Sequence, residues 1–226
     1  MSLLQPEEWQ ALRLTLAVAA RAVGFGLPVA VLLAWVLARG RFRGRGLLNA
    51  IVHMPLVLPP VVTGWLLLLL FGIRGPVGAL LLHWFGLRLV FTTAGASLAC
   101  AVMTLPLMVR SIRLAIESVD PALEQAARSL GAGRLDRFLT ITLPLAAPGV
   151  LAGAVIAYAA SLGEFGAVIT FAADIPGETR TLPLAIYGAL QVPGGEAQAA
   201  RLSLVSVVLA LAGLGASEWL NRRMRR

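Results

Sequence analysis

Few residues in this chain have both the type and the setting to do chemistry. Glu164 lies inside the apolar run Leu145–Ala172, and Arg21 lies inside another, Leu14–Leu37. An ionisable side chain in such surroundings is a functional candidate by default. No catalytic constellation forms around either of them. His53 and His83 are not at metal-ligand spacing, and Cys100 is the single cysteine, set in an apolar run. An intrachain disulfide is therefore excluded and metal ligation is disfavoured. No nucleophile accompanies a histidine base, and no GxxxxGK[ST] run is present to cradle a nucleotide phosphate. GAGRL around Gly131 follows no strand and reads as an elbow. The chain is expected to bind no cofactor or metal of its own.

The elements that hold these residues are set by composition. Of 226 residues, 58% are apolar and only 13% charged, too few to cover a water-facing surface. An integral membrane protein is expected, lying in a lipid bilayer. The net charge of +8 is carried by arginine alone, as a GC-rich genome would favour, and need not signal nucleic acid. Five runs match the roughly 20 residues that cross a hydrocarbon core: 14–37, 50–71, 89–109, 145–172 and 202–220. Leu182–Leu190 is too short to span and is expected as an interfacial or re-entrant helix. MSLLQPEEWQALR lacks a basic n-region, so the first helix is expected to remain in the mature protein.

Arginine placement orients the spans. Arg39, Arg41, Arg43 and Arg45 follow the first; Arg110, Arg113, Arg128, Arg134 and Arg137 follow the third; Arg222, Arg223, Arg225 and Arg226 follow the fifth. The opposite side holds Arg13, Arg74, Arg88, Arg180 and Arg201. The richer side is expected in the cytoplasm, with the N-terminus outside and the C-terminus inside. Trp9, Trp65, Trp84 and Trp219 fall near span ends, as interfacial anchors do. Pro55, Pro59, Pro60 and Gly64 must break or kink the second span, and freed backbone groups survive at that depth only against protein or a water-lined cavity. Gly149, Gly153, Ala157 and Ser161 form a small-residue seam in the fourth. Arg21 either snorkels outward or faces the bundle as a carboxylate or anion partner.

The one long polar segment, Asp120–Pro144, falls on the cytoplasmic side. Asp120 suits an N-cap and Pro121 a first helical position. Leu123, Ala126, Ala127 and Leu130 make one face, with Glu124, Gln125 and Arg128 around it. Gly131 stands where a left-handed C-cap is favoured. Leu135, Phe138, Leu139 and Thr142 then make a second narrow face, and Pro144 is expected to stop it. Such a knob suits docking into another protein.

Gln125-Ala126-Ala127, Gly131 and Ile141-x-Leu143-Pro144 keep the spacing of the cytoplasmic "EAA" loop of MetI-like ABC importer permeases, and the chain resembles that family. Gln125 stands where the family has glutamate, with Glu124 immediately before it, so either side chain is open as the polar contact. SLGEFGA from Ser161, PGETRTLP from Pro176, VPGGE from Val192, HMPLVLPP from His53 and PLMVR from Pro106 look like the molybdate branch. The resemblance runs nearly end to end. It implies an all-α polytopic permease, present as a homodimer, bound to two cytoplasmic ATPases that use ATP–Mg and fed by an external oxyanion-binding protein. The residues 113–144 would form the coupling loop, with Leu123, Glu124, Gln125, Ala126, Ala127, Arg128, Leu130, Gly131, Ile141, Leu143 and Pro144 meeting the ATPase.

Glu164, Pro59, Pro60 and Arg21 are the candidates for pathway or gate. A carboxylate repels a dianion, so a structural Glu164, hydrogen-bonded near Gly163 and Gly166 or paired with Arg21 or Arg180, is weighed above a gate and far above direct contact with cargo. Glu178 and Arg180, in the external loop, are candidates for docking the binding protein. His53 is expected as a packed polar group near a kink and His83 in an external loop. Alternatives are a sulfate/thiosulfate or tungstate importer, an ATPase-independent secondary transporter or channel, or a membrane scaffold. The docking loop disfavours the second and the broken span the third.

Overall fold

The structure is a computed structural model describing residues 4–224, apart from the side chains of 214 and 216–224. Trp219, Arg222 and Arg223 therefore fall outside the described side chains, and Arg225 and Arg226 outside the described residues. Two long helices form the centre, α1 (Pro6–Arg39) and α5 (Thr93–Ser118). Their facing surfaces are mostly small: Ala22, Ala30 and Ala34 from α1, and Ala96, Ala99 and Cys100 from α5, are buried. Small side chains let two helix axes approach closely, which is how helices associate where lipid removes the hydrophobic drive. α5 runs well past the expected end at Val109 to Ser118, so the expected loop 113–144 starts only after that helix ends. Ile112 and Ile116 are buried and continue its apolar face beyond Arg110 and Arg113.

The two helices run in the same direction. At one end the Arg39 guanidinium donates to the Ile116 and Val119 carbonyls, both at 3.1 Å, placing a cation on the electronegative C-terminus of α5. At the other end the Thr93 hydroxyl donates to the Glu178 carbonyl at 2.7 Å. Between these ends the chain must return. It does so through α2 (Arg45–Val57) and α3 (Pro60–Phe71), bent by 119°. The expected span 50–71 is thus two helices, because Leu58 is extended before two residues that lack an N–H. Trp65 consequently sits within α3 and not at a span end. α4 (Pro76–Phe85) follows and contains His83 in its last turn, stacked edge-on with Trp84 at 5.6 Å; a loop position was expected.

After α5 come α6 (Pro121–Ser129) and α7 (Arg134–Arg137), then a π-helical turn (Phe138–Thr142) that leads without a break into α8 (Leu143–Leu162). Pro144 does not stop the chain here. It falls in the first turn of α8, and the wider π turn carries the Leu143 N–H to the Phe138 carbonyl. The expected span 145–172 is interrupted: α8 ends at Leu162 and α9 (Gly166–Ala172) begins after three residues. α10 (Leu182–Leu190) occupies the short apolar run, and α11 (Glu196–Met224) closes the chain. Among the described residues, four helices are long and apolar enough to cross a membrane, or five with the bent pair taken as one.

The seam of α8 packs on α5. A Cβ added at Gly149 would overlap the Ala115 Cβ, and the Ser111 hydroxyl donates to the Gly149 carbonyl at 2.9 Å. Gly149→Val is therefore expected to lower stability by about 1–3 kcal/mol, the usual cost of overpacking. Gly213→Val, where the nearest described atom to an added Cβ is the Ala159 Cβ at 4.0 Å, is the matched control in a thermal melt in detergent. At the far end Glu8 is 2% exposed; it accepts from the Gln5 N–H at 2.8 Å and pairs with Arg201 at 3.0 Å. Thr15 accepts from the Leu182 N–H at 2.7 Å. These bonds tie α10 and α11 to α1.

Candidate functional site

The polar segment forms a short amphipathic helix with both ends capped. The Asp120 carboxylate accepts from the Ala122 N–H at 2.8 Å, and Pro121 is the first helical residue. At the other end Gly131 has φ +88°, its N–H reaches the Arg128 carbonyl at 3.0 Å, and the Ala132 N–H reaches the Ala127 carbonyl at 3.0 Å. That pair of bonds is the Schellman arrangement, and it needs a left-handed residue where glycine carries no Cβ penalty. α6 does not lie buried in the bundle: Leu123 is 47% exposed and Leu130 89%. Ala126 is exposed and Ala127 half-buried. Two exposed leucines flanking two alanines leave an apolar ridge uncovered among the described residues.

One residue of α6 faces inward. Glu124 Oε1 accepts from Arg39 Nε at 3.1 Å and from the Thr142 hydroxyl at 2.9 Å, with Arg39 Nη2 at 3.0 Å. Gln125 is exposed, and its carbonyl accepts from the Ser129 hydroxyl at 3.1 Å. The inward polar contact is therefore made by Glu124. The expected second face divides: Phe138 and Thr142 are buried, Phe138 with its ring centroid 4.8 Å from that of Trp35, while Leu135 and Leu139 are exposed. Ile141 and Leu143 are half-buried and Pro144 is exposed.

The expected pathway residues lie apart from this loop. Pro59 and Pro60 stand exposed at the α2–α3 break. Gly166 abuts them, since a Cβ there would be 2.7 Å from the Pro60 Cβ. Glu164 lies in the α8–α9 break and Oε1 accepts from the Ala167 N–H at 2.9 Å, capping α9. It pairs with neither suggested arginine. Arg21 is exposed and in none of the ion pairs among the described residues, and Arg180 holds Asp174 through two bonds, at 2.8 and 3.1 Å. Glu178 accepts from the Thr93 N–H at 3.3 Å, tying the loop to the start of α5. His53 Nδ1 lies 2.9 Å from the Asn49 carbonyl on α2, beside Pro55. Because Gln keeps an acceptor, Glu164→Gln is expected to transport within about twofold of wild type, whereas Glu164→Ala loses the cap and about 1 kcal/mol. Comparing melts and uptake of the two variants checks this.

Residues 26–226 match the family described as binding-protein-dependent transport system inner membrane component. The chain belongs to that family. It is 56% identical over 223 residues to the molybdenum transport system permease protein ModB of Escherichia coli (strain K12), covering 99% of this chain and 97% of that one. It is 37% identical over 207 residues to the sulfate transport system permease protein CysT of Salmonella typhimurium (strain LT2), covering 90% and 74%. The fold is similar, at TM-score 0.73 and 23% identity over 98% of this chain and 80% of the other, to a crystal structure of a bacterial alginate ABC transporter in complex with a periplasmic protein bound to an alginate pentasaccharide. The chain is a non-catalytic permease subunit of the membrane.

Within this permease the residues missed by sequence reasoning are Arg39 and Trp35, both reaching the loop from α1, together with the bond from Thr142 to Glu124 inside the loop. Arg39 had been counted only as a topogenic charge, yet its guanidinium uses every bond on the loop and the end of α5. Three buried hydroxyls, those of Thr63, Ser161 and Thr181, have no hydrogen-bond partner among the described residues. Thr63 lies beside the α3–α9 crossing and Ser161 beside the α8 break. The sequence signal for Thr63 is its place before Gly64 in an otherwise apolar helix.

Proposed function

We propose that this chain is the permease of an ABC importer for molybdate, with the arginine-rich end in the cytoplasm, the N-terminus outside and the C-terminus inside. The observation that carries the reading is the capped helix α6, whose ridge from Leu123 to Leu130 is exposed among the described residues while Glu124 fastens it to α1 and the π turn. A groove on a cytoplasmic ATPase dimer would take that ridge, and ATP–Mg would be consumed there. The chain would act as a homodimer and receive the oxyanion from an external binding protein, with Glu178 and Arg180 near that entrance. Molybdate as cargo is supported by the likeness to ModB, which spans both chains almost entirely.

Alternating access follows from the mechanics. Movement of the ATPases shifts α6; the Arg39–Glu124 pair and the unbroken run from α7 through the π turn into α8 carry that shift to the two bundles. The path must release what it carries, so tight oxyanion binding belongs to the external protein. ATP-dependent uptake into proteoliposomes holding permease and ATPase, with molybdate, tungstate and sulfate in competition, tests the reading. Molybdate should win at equal concentration. Uptake dominated by sulfate would overturn the cargo, and uptake without ATPase would overturn the class.

A further inference from the structure

A cavity of about 570 Å³ opens between the end of α1 and the elbow joining α6 to α7, and five of its lining side chains are arginines: Arg39, Arg41, Arg128, Arg134 and Arg137. Glu124 is the one carboxylate in the lining, and it is taken up by Arg39 and Thr142. None of the ion pairs among the described residues includes the other four arginines. Guanidinium groups gathered around one concavity without counter-charge repel one another, and a tetrahedral oxyanion relieves that repulsion through paired N–H···O bonds. The remaining wall has an apolar part, Trp35, Val36 and Phe138, beside Gly40 and Thr142.

That apolar part continues along α1. Phe25, Val29 and Leu32 are exposed, and Val36 follows at the same helical spacing into the cavity. On a helix long and apolar enough to cross a membrane this stripe faces acyl chains, and it leads directly to the arginines. A phospholipid uses both, with acyl chain on the stripe and head group among the arginines. Interfacial arginines also draw anionic lipids out of a mixed bilayer.

We propose that the cavity binds the phosphate group of an anionic phospholipid, which clamps α7 to the end of α1 and so holds the loop in register. The inference rests on the cytoplasmic, membrane-surface placing of this end given above. The test uses the permease with its ATPase subunits in nanodiscs of phosphatidylcholine, with or without phosphatidylglycerol, and native mass spectrometry of the released complex. Wild type should retain phosphatidylglycerol. Arg41→Gln/Arg134→Gln/Arg137→Gln should lower the retained lipid by about tenfold or more. Arg45→Gln/Arg110→Gln/Arg113→Gln removes the same charge from the same end outside the cavity and should leave retention unchanged. Equal loss in both triple variants overturns the site in favour of general surface charge. Inorganic phosphate displacing phosphatidylglycerol and giving the same ATPase rate in phosphatidylcholine alone assigns the cavity to a free ion and overturns the lipid. A cavity variant that sheds the ATPase while keeping phosphatidylglycerol makes the arginines a protein contact, which also overturns it. If no lipid supports ATPase association or ATP-driven uptake, the permease reading fails instead, and the lipid adducts still report on the cavity directly.

Discussion

Glu124→Ala is expected to abolish coupling: ATP hydrolysis by the assembled complex continues while uptake falls by more than an order of magnitude. Among the described residues, Glu124 is the one of α6 whose side chain is hydrogen-bonded to the body of the permease, through Arg39 at 3.0 Å and Thr142 at 2.9 Å. The pair is largely screened from water, so removing the carboxylate leaves a half-buried guanidinium and a buried hydroxyl with fewer partners. Losing hydrogen bonds to a charged group of this kind costs about 2 kcal/mol, or roughly a 30-fold fall in the population of the fastened loop. Gln125→Ala, one residue on, removes an exposed side chain and should leave the fastening intact, whatever it does to ATPase affinity. Measuring ATPase rate and uptake on the same proteoliposomes separates the two. Normal uptake by Glu124→Ala would show that α6 transmits nothing through this contact.

The second large effect is expected at Gly64. Here α3 crosses α9 so closely that an added Cβ would lie 2.7 Å from the Ala167 carbonyl oxygen and 2.8 Å from the Thr170 Cβ. The nearest obstacle is backbone, which cannot swing aside as a side-chain tip does. Gly64→Leu must therefore push the two broken spans apart, at about 1–3 kcal/mol if they partly give way. Uptake should be lost while the complex still assembles, because α6 and its contacts lie at the other end. Gly64→Ala should show a smaller loss in the same direction. A melt in detergent and co-purification of the ATPase distinguish a blocked path from an unfolded protein. Full uptake by Gly64→Leu would mean that transport does not depend on the close α3–α9 crossing.

Much of the loop was legible because its determinants are local. Asp120, Pro121 and Gly131 act within one turn of their own positions, so the capped helix and its elbow could be read one residue at a time. The seam on α8 was legible for a similar reason, since four-residue spacing puts Gly149, Gly153 and Ala157 on one face whatever lies opposite. Pro144 misled because a proline ends a helix only if its missing N–H was needed. In the first turn of α8, after a π turn, it was not. Of the two structural readings for Glu164, the hydrogen bond near Gly163 and Gly166 is present and the pairing with Arg21 or Arg180, argued from charge alone, is not. Arg180 had Asp174 six residues away, and the backbone N–H of Ala167 lay closer to Glu164 than either cation.

The sequence by itself determined the membrane, the helical class, the side on which positive charge gathers and the amphipathic knob at Asp120–Pro144. Each depends on composition or on periodicity along one element. Only the tertiary structure decided that Glu124 and not Gln125 faces inward, that Arg39 crosses from α1 to receive it, and that four further arginines share one cavity. Those facts depend on the rotation of α6 about its axis and on the parallel packing of α1 with α5. Contacts between residues some 80 positions apart are set by how whole faces bury against each other, and no local pattern encodes which side chain the final packing turns inward.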